Sequence, residues 1–369
     1  MFKKSSVCFL LSLLLTTPFA LTACTPLVNE EAIQSGTENE YQFNDEIHWN
    51  ADGEAPHSFV EGQCSVCGYP DPNHEKEEEQ DTSLLEFTVY DTHAVLTGIG
   101  KNTDKDLIRP ATYMGKPVTA VGYRAFCYKP VQATFESITL PDSITAIEEE
   151  AFYSCEKLKS MHLGKGVAQI GELSLWGLSS LETLTVDEEN PYYKGVDNVL
   201  FSKDGKHLVK YSGKKTDSEY QVPEGVEHID PFSFHSCKNL INVVLPNGLK
   251  TIGRGAFSWT DHLQTINIPD GVTTIADGVF GYTVLEEVIF PDSVTSIGSD
   301  IFHMIEPLKK VHLGAGLATF PTALFCSNKE KIALTISENN PYFYMVGDVV
   351  YSKADNSVVF ENTTPYPYY

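Results

Sequence analysis

LPDSITAIEEEAF at Leu140–Phe152, IPDGVTTIADGVF at Ile268–Phe280 and FPDSVTSIGSDIF at Phe290–Phe302 are three settings of one phrase. Its core form is Leu-x-x-Ile-x-Ile-Pro, then Val-x-x-Ile, then Ala-Phe, and it returns about every 23 residues. An aromatic column holds Phe126, Phe152, Phe234, Phe257, Phe280, Phe302 and Phe325, with Leu175 in the third unit. Five residues before each stands a second apolar column: Val121, Ile147, Ile170, Ile229, Ile252, Ile275, Ile297 and Phe320. Three residues earlier runs a third, from Val118 and Ile144 to Val294 and Leu317. A unit this short cannot bury its own apolar side, so it must stack on copies of itself. The fold predicted is a β-rich, α/β-type solenoid.

The strand segments predict an exposed row. Side chains alternate between faces, so in Ile266-Asn267-Ile268 and Val311-His312-Leu313 the middle residue points outward. Stacking sets Thr139, His162, Thr185, Val244, Asn267, Ile289, His312 and Thr335 in one line along a parallel sheet. Proline with Asp, Asn or Gly after each strand ends the ladder and turns the corner.

These repeats resemble the BspA-type leucine-rich repeat of bacterial surface proteins, through the run Ile268–Ile275 and the Gly-Ala-Phe at Gly255–Phe257. The resemblance runs from about Leu84 onward, so the solenoid is assigned to 84–369. It implies surface adhesion, with a protein on a host or neighbouring cell as partner.

Asn190-Pro191-Tyr192-Tyr193 leads to Val199-Leu200-Phe201-Ser202-Lys203. The same pattern returns at Asn340-Pro341-Tyr342-Phe343 and Val349–Lys353. Both read as β-hairpins projecting from the solenoid, with Asp204-Gly205 as a two-residue turn in the first. The second is expected to cover the C-terminal end of the stack. Tyrosines there are candidates for contact, because they give large area at low entropic cost. Tyr193 and Tyr344 are singled out, the first of each pair being read as packing on the adjacent coil. Phe87–Tyr90 and Ala94–Thr97 read as a hairpin capping the N-terminal end, where an open solenoid would expose strand edges.

Lys3 and Lys4 precede an apolar run from Val7 to Leu15, which marks residues 1–23 as a secretory signal peptide. Leu21-Thr22-Ala23-Cys24 resembles the bacterial lipobox. That implies cleavage before Cys24, lipidation of its thiol, and an extracytoplasmic protein anchored to a membrane. The other reading is an ordinary signal peptide cut near Ala20 or Ala23, with Cys24 incidental. Residues 24–83 form an acidic linker. It holds fifteen Asp or Glu and one basic residue, Lys76, and its like charge and few apolar residues predict a disordered spacer.

Within the linker, His57, Cys64, Cys67 and His74 could offer four ligands to tetrahedral zinc. A secreted Cys-x-x-Cys can equally be a disulfide or free thiols. No other cofactor is implied. Cys127, Cys155, Cys237 and Cys326 are spread over separate units and read as buried thiols. The net charge of −24 argues against nucleic acid, whose phosphates need Lys and Arg.

The chain carries no phosphate-cradling Gly-Lys-Ser/Thr loop, no His-Glu-x-x-His and no Gly-x-Ser-x-Gly elbow. A continuous stack has no evident cleft, so the reading is a non-enzymatic monomer that binds by breadth. His162, Val244, Asn267, Ile289 and His312 are the candidate contacts on the strand row. His162 and His312 also have a plainer reading as polar residues on a solvent face. Glycan binding through exposed tyrosines, and a structural envelope lipoprotein without a soluble ligand, are the alternatives to protein binding.

Overall fold

The computed structural model describes residues 59–60, 63–64, 84–127, 135–321, 323–325, 328 and 330–362. The chain divides into two compact units, residues 1–74 and 75–369. In the first, Phe59–Val60 pairs antiparallel with Gln63–Cys64. The second is a β-solenoid held by three rails.

The first rail is the long strand of each coil. Asp106–Ile108, Ser137–Leu140, Ser160–Leu163 and Thr183–Val186 form a four-stranded parallel sheet. Glu219–Gln221, Asn242–Val244 and Thr265–Asn267 form a second. Glu287–Ile289, Lys310–Leu313 and Ala333–Ile336 form a third. The second rail is a short strand about one corner later, as in His228–Ile229, Thr251–Ile252, Thr274–Ile275 and Ser296–Ile297.

The third rail is the turn that carries the aromatic column. Phe234 N donates to Ala256 O (2.8 Å), Phe257 N to Val279 O (3.0 Å) and Phe280 N to Ile301 O (3.0 Å). These coil-to-coil bonds need a left-handed residue two places before and two places after the column. Phe232 and Ser236, Gly255 and Trp259, and Gly278 and Tyr282 all take positive φ.

The apolar columns meet inside. Phe152, Phe234, Phe257, Phe280 and Phe302 are wholly buried, and successive rings stack at 4.9, 6.1 and 6.0 Å from Phe234 to Phe302. Burying one such side chain contributes about 2–3 kcal/mol. The column adds to the cohesion that the backbone rails and the other buried apolar columns give the coils.

Two expectations need correction. The outward residues do not lie on one continuous sheet. The coil between Asn267 and Ile289 is one residue shorter than its neighbours, the loss falling between Thr283 and Leu285. The strands on either side of it therefore do not register as a ladder.

The Asn-Pro insertions, moreover, are three-stranded meanders, and the first does not project. Tyr193–Val196, Val199–Ser202 and His207–Tyr211 pair antiparallel in turn, and His207–Leu208 then pairs in parallel with His228–Ile229. Val199, Leu200, Phe201, Leu208 and Tyr211 are buried. A strand with apolar residues on both faces is stable only between two cores, and this one is built into the stack. Phe343–Val346, Val349–Ser352 and Val358–Glu361 repeat the meander, and Phe360 packs on Phe320 (5.2 Å) and Phe325 (5.9 Å).

At the head of the solenoid, Glu86–Val89 pairs antiparallel with Ala94–Gly98. The latter joins Lys116–Val121 in parallel, with Ala94 and Leu96 fully buried.

Candidate interaction face

The long-strand rail presents its middle residues outward. In the first sheet, Ile108, Thr139, His162 and Thr185 are register partners. In the second they are Gln221, Val244 and Asn267, and in the third Ile289, His312 and Thr335. All the residues assigned to this row from the sequence lie on it. Ile108 and Gln221 join them, and both had been missed. Ile108 sits in an atypical first unit, in which Arg109 takes the apolar slot before Pro110. Its sequence signals are the alternation Asp106-Leu107-Ile108 around a buried Leu107 and the proline two residues on, Pro110.

Polar members of the row bond along it. His162 Nδ1 meets Thr185 Oγ1 at 2.9 Å, and His312 Nδ1 meets Thr335 Oγ1 at 2.9 Å. The two histidines belong to different sheets, and each one's Nδ1 is occupied by its own threonine. The apolar members stand out of the surface instead: Ile108 is 78% exposed, Ile289 56% and Val244 40%.

Beside the row, the Glu136 carboxylate bridges Lys105 (2.9 Å) and Lys159 (2.5 Å). Those two hydrogen bonds hold its pKa down at about 2. Lys309 pairs with Glu286 at 2.8 Å on the third sheet. The row is thus a narrow strip of Ile, Val, His, Thr and Asn edged by paired charges.

The row is interrupted between Thr185 and Gln221 by the first meander. Along the short-strand and corner rails, the same meander borders a cleft of about 440 Å³ lined among others by Ile170, Trp176, Lys210, Pro231 and Phe232. Lys210 is buried and donates to Phe232 O at 3.1 Å. Burial pushes its pKa down to about 8. His235, tilted against Trp176 at 4.5 Å, is lowered by burial to about 3.

The tyrosines differ from expectation. Tyr192 and Tyr342 are the exposed ones, at 52% and 48%. Tyr193 packs against the N-terminal core, and burial raises its phenol pKa. Which ring turns outward is set by the Asn-Pro turn, whose Asn side chain captures the next two backbone N–H groups and so fixes where strand alternation begins. Tyr344 stacks on Tyr351 at 5.3 Å and reaches Asn356 Oδ1 at 3.1 Å.

Cys24, His57, Cys67 and His74 lie outside the described residues, as do Cys326 and the tail tyrosines. Cys64 is described only as a strand residue opposite Phe59. Cys127, Cys155 and Cys237 are buried free thiols, with Cys237 raised by burial to about 12.

A family model described as BspA type leucine rich repeat region matches in six copies, over residues 119–203 and 211–331. The gap between the two matches falls on the turn and last strand of the first meander. The chain is similar in fold to several solved structures. Pneumococcal vaccine antigen PcpA has 21% identity over 70% of this chain and 84% of that one, with a TM-score of 0.43. A leucine rich cell surface protein from Faecalibacterium prausnitzii has 21% identity over 70% and 94%, with a TM-score of 0.44. A leucine-rich repeat protein from Bacteroides ovatus has 18% identity over 71% and 69%, with a TM-score of 0.42. No curated protein sequence matches.

Proposed function

The chain belongs to the BspA-type leucine-rich repeat family, and on that footing we propose that it is a cell-surface interaction module that grips a partner protein along the outward strand row. The observation that carries this reading is the exposure of Ile108, Val244 and Ile289 in slots where the fold asks nothing apolar of them. Other units fill the same slot with Thr, His, Asn or Gln. Apolar side chains held out on a rigid sheet, between residues that can hydrogen-bond, are the usual make-up of a protein contact. Repetition spreads them along the stack, so affinity accrues from breadth and no single pocket is needed.

Anchoring through a lipidated Cys24, with the acidic segment as spacer, completes the proposal and sets the module outside the cytoplasm. Mass spectrometry of the membrane-extracted protein tests the anchor, since a diacylglyceryl-modified Cys24 must form the mature N-terminus.

The test of the face uses the full chain on an array of host-matrix and microbial-surface proteins. A partner is expected that binds wild type and loses roughly tenfold or more in affinity when Ile108, Val244 and Ile289 are all changed to Asp. Lys309→Ala, on the charged edge, should change affinity far less. Capture of no protein, or equal capture by the triple variant, refutes the reading.

A further inference from the structure

An ordinary corner runs five residues from its short-strand apolar position to its column position: Ile147 to Phe152, Ile170 to Leu175, Ile229 to Phe234 and Ile252 to Phe257. The first meander stands in for a coil between the second and third of these. Leu208 takes the short-strand position. It pairs with Ile229, and its carbonyl accepts from Asp230 N (3.0 Å) as Ile229 O accepts from Gly253 N (2.8 Å). Tyr211 takes the column position, its ring 5.2 Å from Phe234 and its N–H on Ser233 O at 2.9 Å. Leu208 and Tyr211 are only three residues apart. Val209 and Lys210 thus cut a corner that other coils build from four residues. The cleft of about 440 Å³ beside them is the room left by the two that are absent.

The cut corner also leaves main-chain groups without partners. In the coil before it, Glu150 N donates to Glu172 O (3.0 Å) and Phe152 N to Ser174 O (3.1 Å). In the coil after it, Phe232 N donates to Arg254 O (2.9 Å) and Phe234 N to Ala256 O (2.8 Å). Leu173 N and Leu175 N hold the same two donor positions on one wall of the cleft, and neither has an acceptor among the described residues. On the facing wall Pro231 O, at the position of Glu172 O and Arg254 O, has no donor among them. Ser174 Oγ, in the lining too, is buried without a hydrogen bond.

The chemistry of the two walls selects the ligand. A simple anion would meet donors on one side, but Pro231 O and the carboxylates of Glu172 and Asp230 also line the cleft and would repel it. A polypeptide main chain offers carbonyls and N–H groups together, and it completes both walls as the coils do for each other. The Asp230 carboxylate is taken by His207 at 2.8 Å. Glu172 is exposed and is met by Arg254 only at 4.0 Å, which leaves it able to hold a second cation.

We propose that the cleft is a peptide-binding slot, in which a short segment of another protein takes the place of the missing corner. Its carbonyls accept from Leu173 N and Leu175 N, one of its N–H groups donates to Pro231 O, and a basic side chain lies at Glu172. Its other residues are small, because Lys210 and Tyr211 already fill the core side. The slot lies on the corner side of the stack and does not rest on the strand row. A peptide of a few residues held in this way has a Kd on the order of millimolar.

The probe is acetyl-Gly-Arg-Gly-Ala-amide, the sequence that Gly253–Ala256 places in an ordinary corner. Proton–nitrogen correlation NMR of the full chain with up to about 5 mM probe reads this affinity range. The Leu173 and Leu175 amides should shift saturably, while those of Phe152 and Phe257, already bonded to the next coil, stay in place. Inserting Gly-Ala between Val209 and Lys210 restores the ordinary spacing and should abolish the shifts. Glu172→Lys changes an exposed side chain and should weaken binding roughly fivefold or more without altering the melt. Unmoved Leu173 and Leu175 amides, or shifts retained by a folded insertion variant, would overturn the slot. If the insertion unfolds the chain, Glu172→Lys decides, and an affinity equal to wild type counts against the placement. Equal shifts with inorganic phosphate would mean an anion site and overturn the peptide. Changing Ile108, Val244 and Ile289 to Asp should leave the probe bound; its loss there would move the peptide to the strand row.

Discussion

Replacing Asn190 by Ala should uncouple the two halves of the solenoid. The side chain is fully buried and makes four hydrogen bonds. Its Nδ2 donates to Gly164 O (2.9 Å) and Val167 O (3.0 Å) of the preceding coil. Its Oδ1 accepts from Tyr192 N and Tyr193 N (2.8 Å each), where the meander begins. At about 1 kcal/mol per bond, reduced for Gly164 O because it keeps a bond from Val167 N, the loss is about 3 kcal/mol. Asn190→Asp keeps both acceptor contacts and turns both donations into repulsions. It should cost at least as much at neutral pH and recover as the carboxyl protonates.

Trp176 and Trp259 lie on opposite sides of the meander and report the two halves separately. Urea titrations in Trp49→Phe/Trp259→Phe and Trp49→Phe/Trp176→Phe backgrounds should coincide with Asn190 in place and separate in Asn190→Ala. Asn340 has the same four-bond pattern at the second meander. Asn340→Ala should fray that end alone, with little effect at Trp176, because coils sense only their neighbours. A loss under about 1 kcal/mol with coincident midpoints in Asn190→Ala would refute the idea that the asparagine is the coupling element.

Three further outcomes are expected. Lys210→Met should stabilise the protein by about 1–3 kcal/mol near neutral pH, since it removes an ammonium whose burial lowers its pKa from 10.5 to about 8; a lower urea midpoint counts against this. Acid should weaken the fold in two stages, read by melts between pH 7 and pH 2. His235, depressed to about 3 by burial, contributes stability that is present above its unfolded pKa near 6.5 and lost as pH falls toward the folded value. Glu136 and Glu227, held at about 2 by their paired lysines, contribute stability present above about 4.5 and lost as pH falls through 2; His235→Phe should flatten only the upper stage. Gly166→Ala should destabilise by roughly 2 kcal/mol or more, because a Cβ there would lie 2.1 Å from Asp142 O; an unchanged melting temperature would contradict that geometry.

The stacking of the solenoid was legible because it repeats. Three in-phase columns locate Phe152, Ile147 and Ile144 at once, and all three are buried. The outward row follows from alternation alone, which holds for His162 and Ile289 alike. What could not be read depends on pairings that leave little trace in the chain. The first meander joins the stack through a two-residue parallel register, His207 and Leu208 with His228 and Ile229, and the apolar run that makes it possible looks the same in a free hairpin. The break beyond Asn267 is one missing residue in a turn. The Trp259–Tyr282 stack was invisible for another reason: it depends on a positive φ at both residues, and no residue type in the phrase announces that slot. The paired Leu-Gly-x-Gly after His162 and His312, by contrast, is explained by contact. A Cβ on Gly164, Gly166, Gly314 or Gly316 would press on backbone carbonyls of the preceding coil.

The first meander can be understood as a cap with a second solenoid stacked on its outer side. Its middle strand divides two cores by alternation: Leu200 belongs to the N-terminal core, while Val199 and Phe201 belong to the C-terminal one. Tyr211, on the next strand, supplies the aromatic ring that starts the second column, 5.2 Å from Phe234. The second meander closes the other end in the same manner, through Phe360. Lys210 occupies the position that its twin fills with Phe360, so the internal copy keeps a buried cation where the terminal copy packs a partly buried ring. Adjacent substitutions should therefore act on different halves. Leu200→Ala and Phe201→Ala each remove a buried side chain at a cost of about 3 kcal/mol. The first should lower the unfolding midpoint seen by Trp176 and the second that seen by Trp259. Equal shifts at both tryptophans for both variants would mean that the two cores melt as one, and the partition would then be a matter of geometry without energetic consequence.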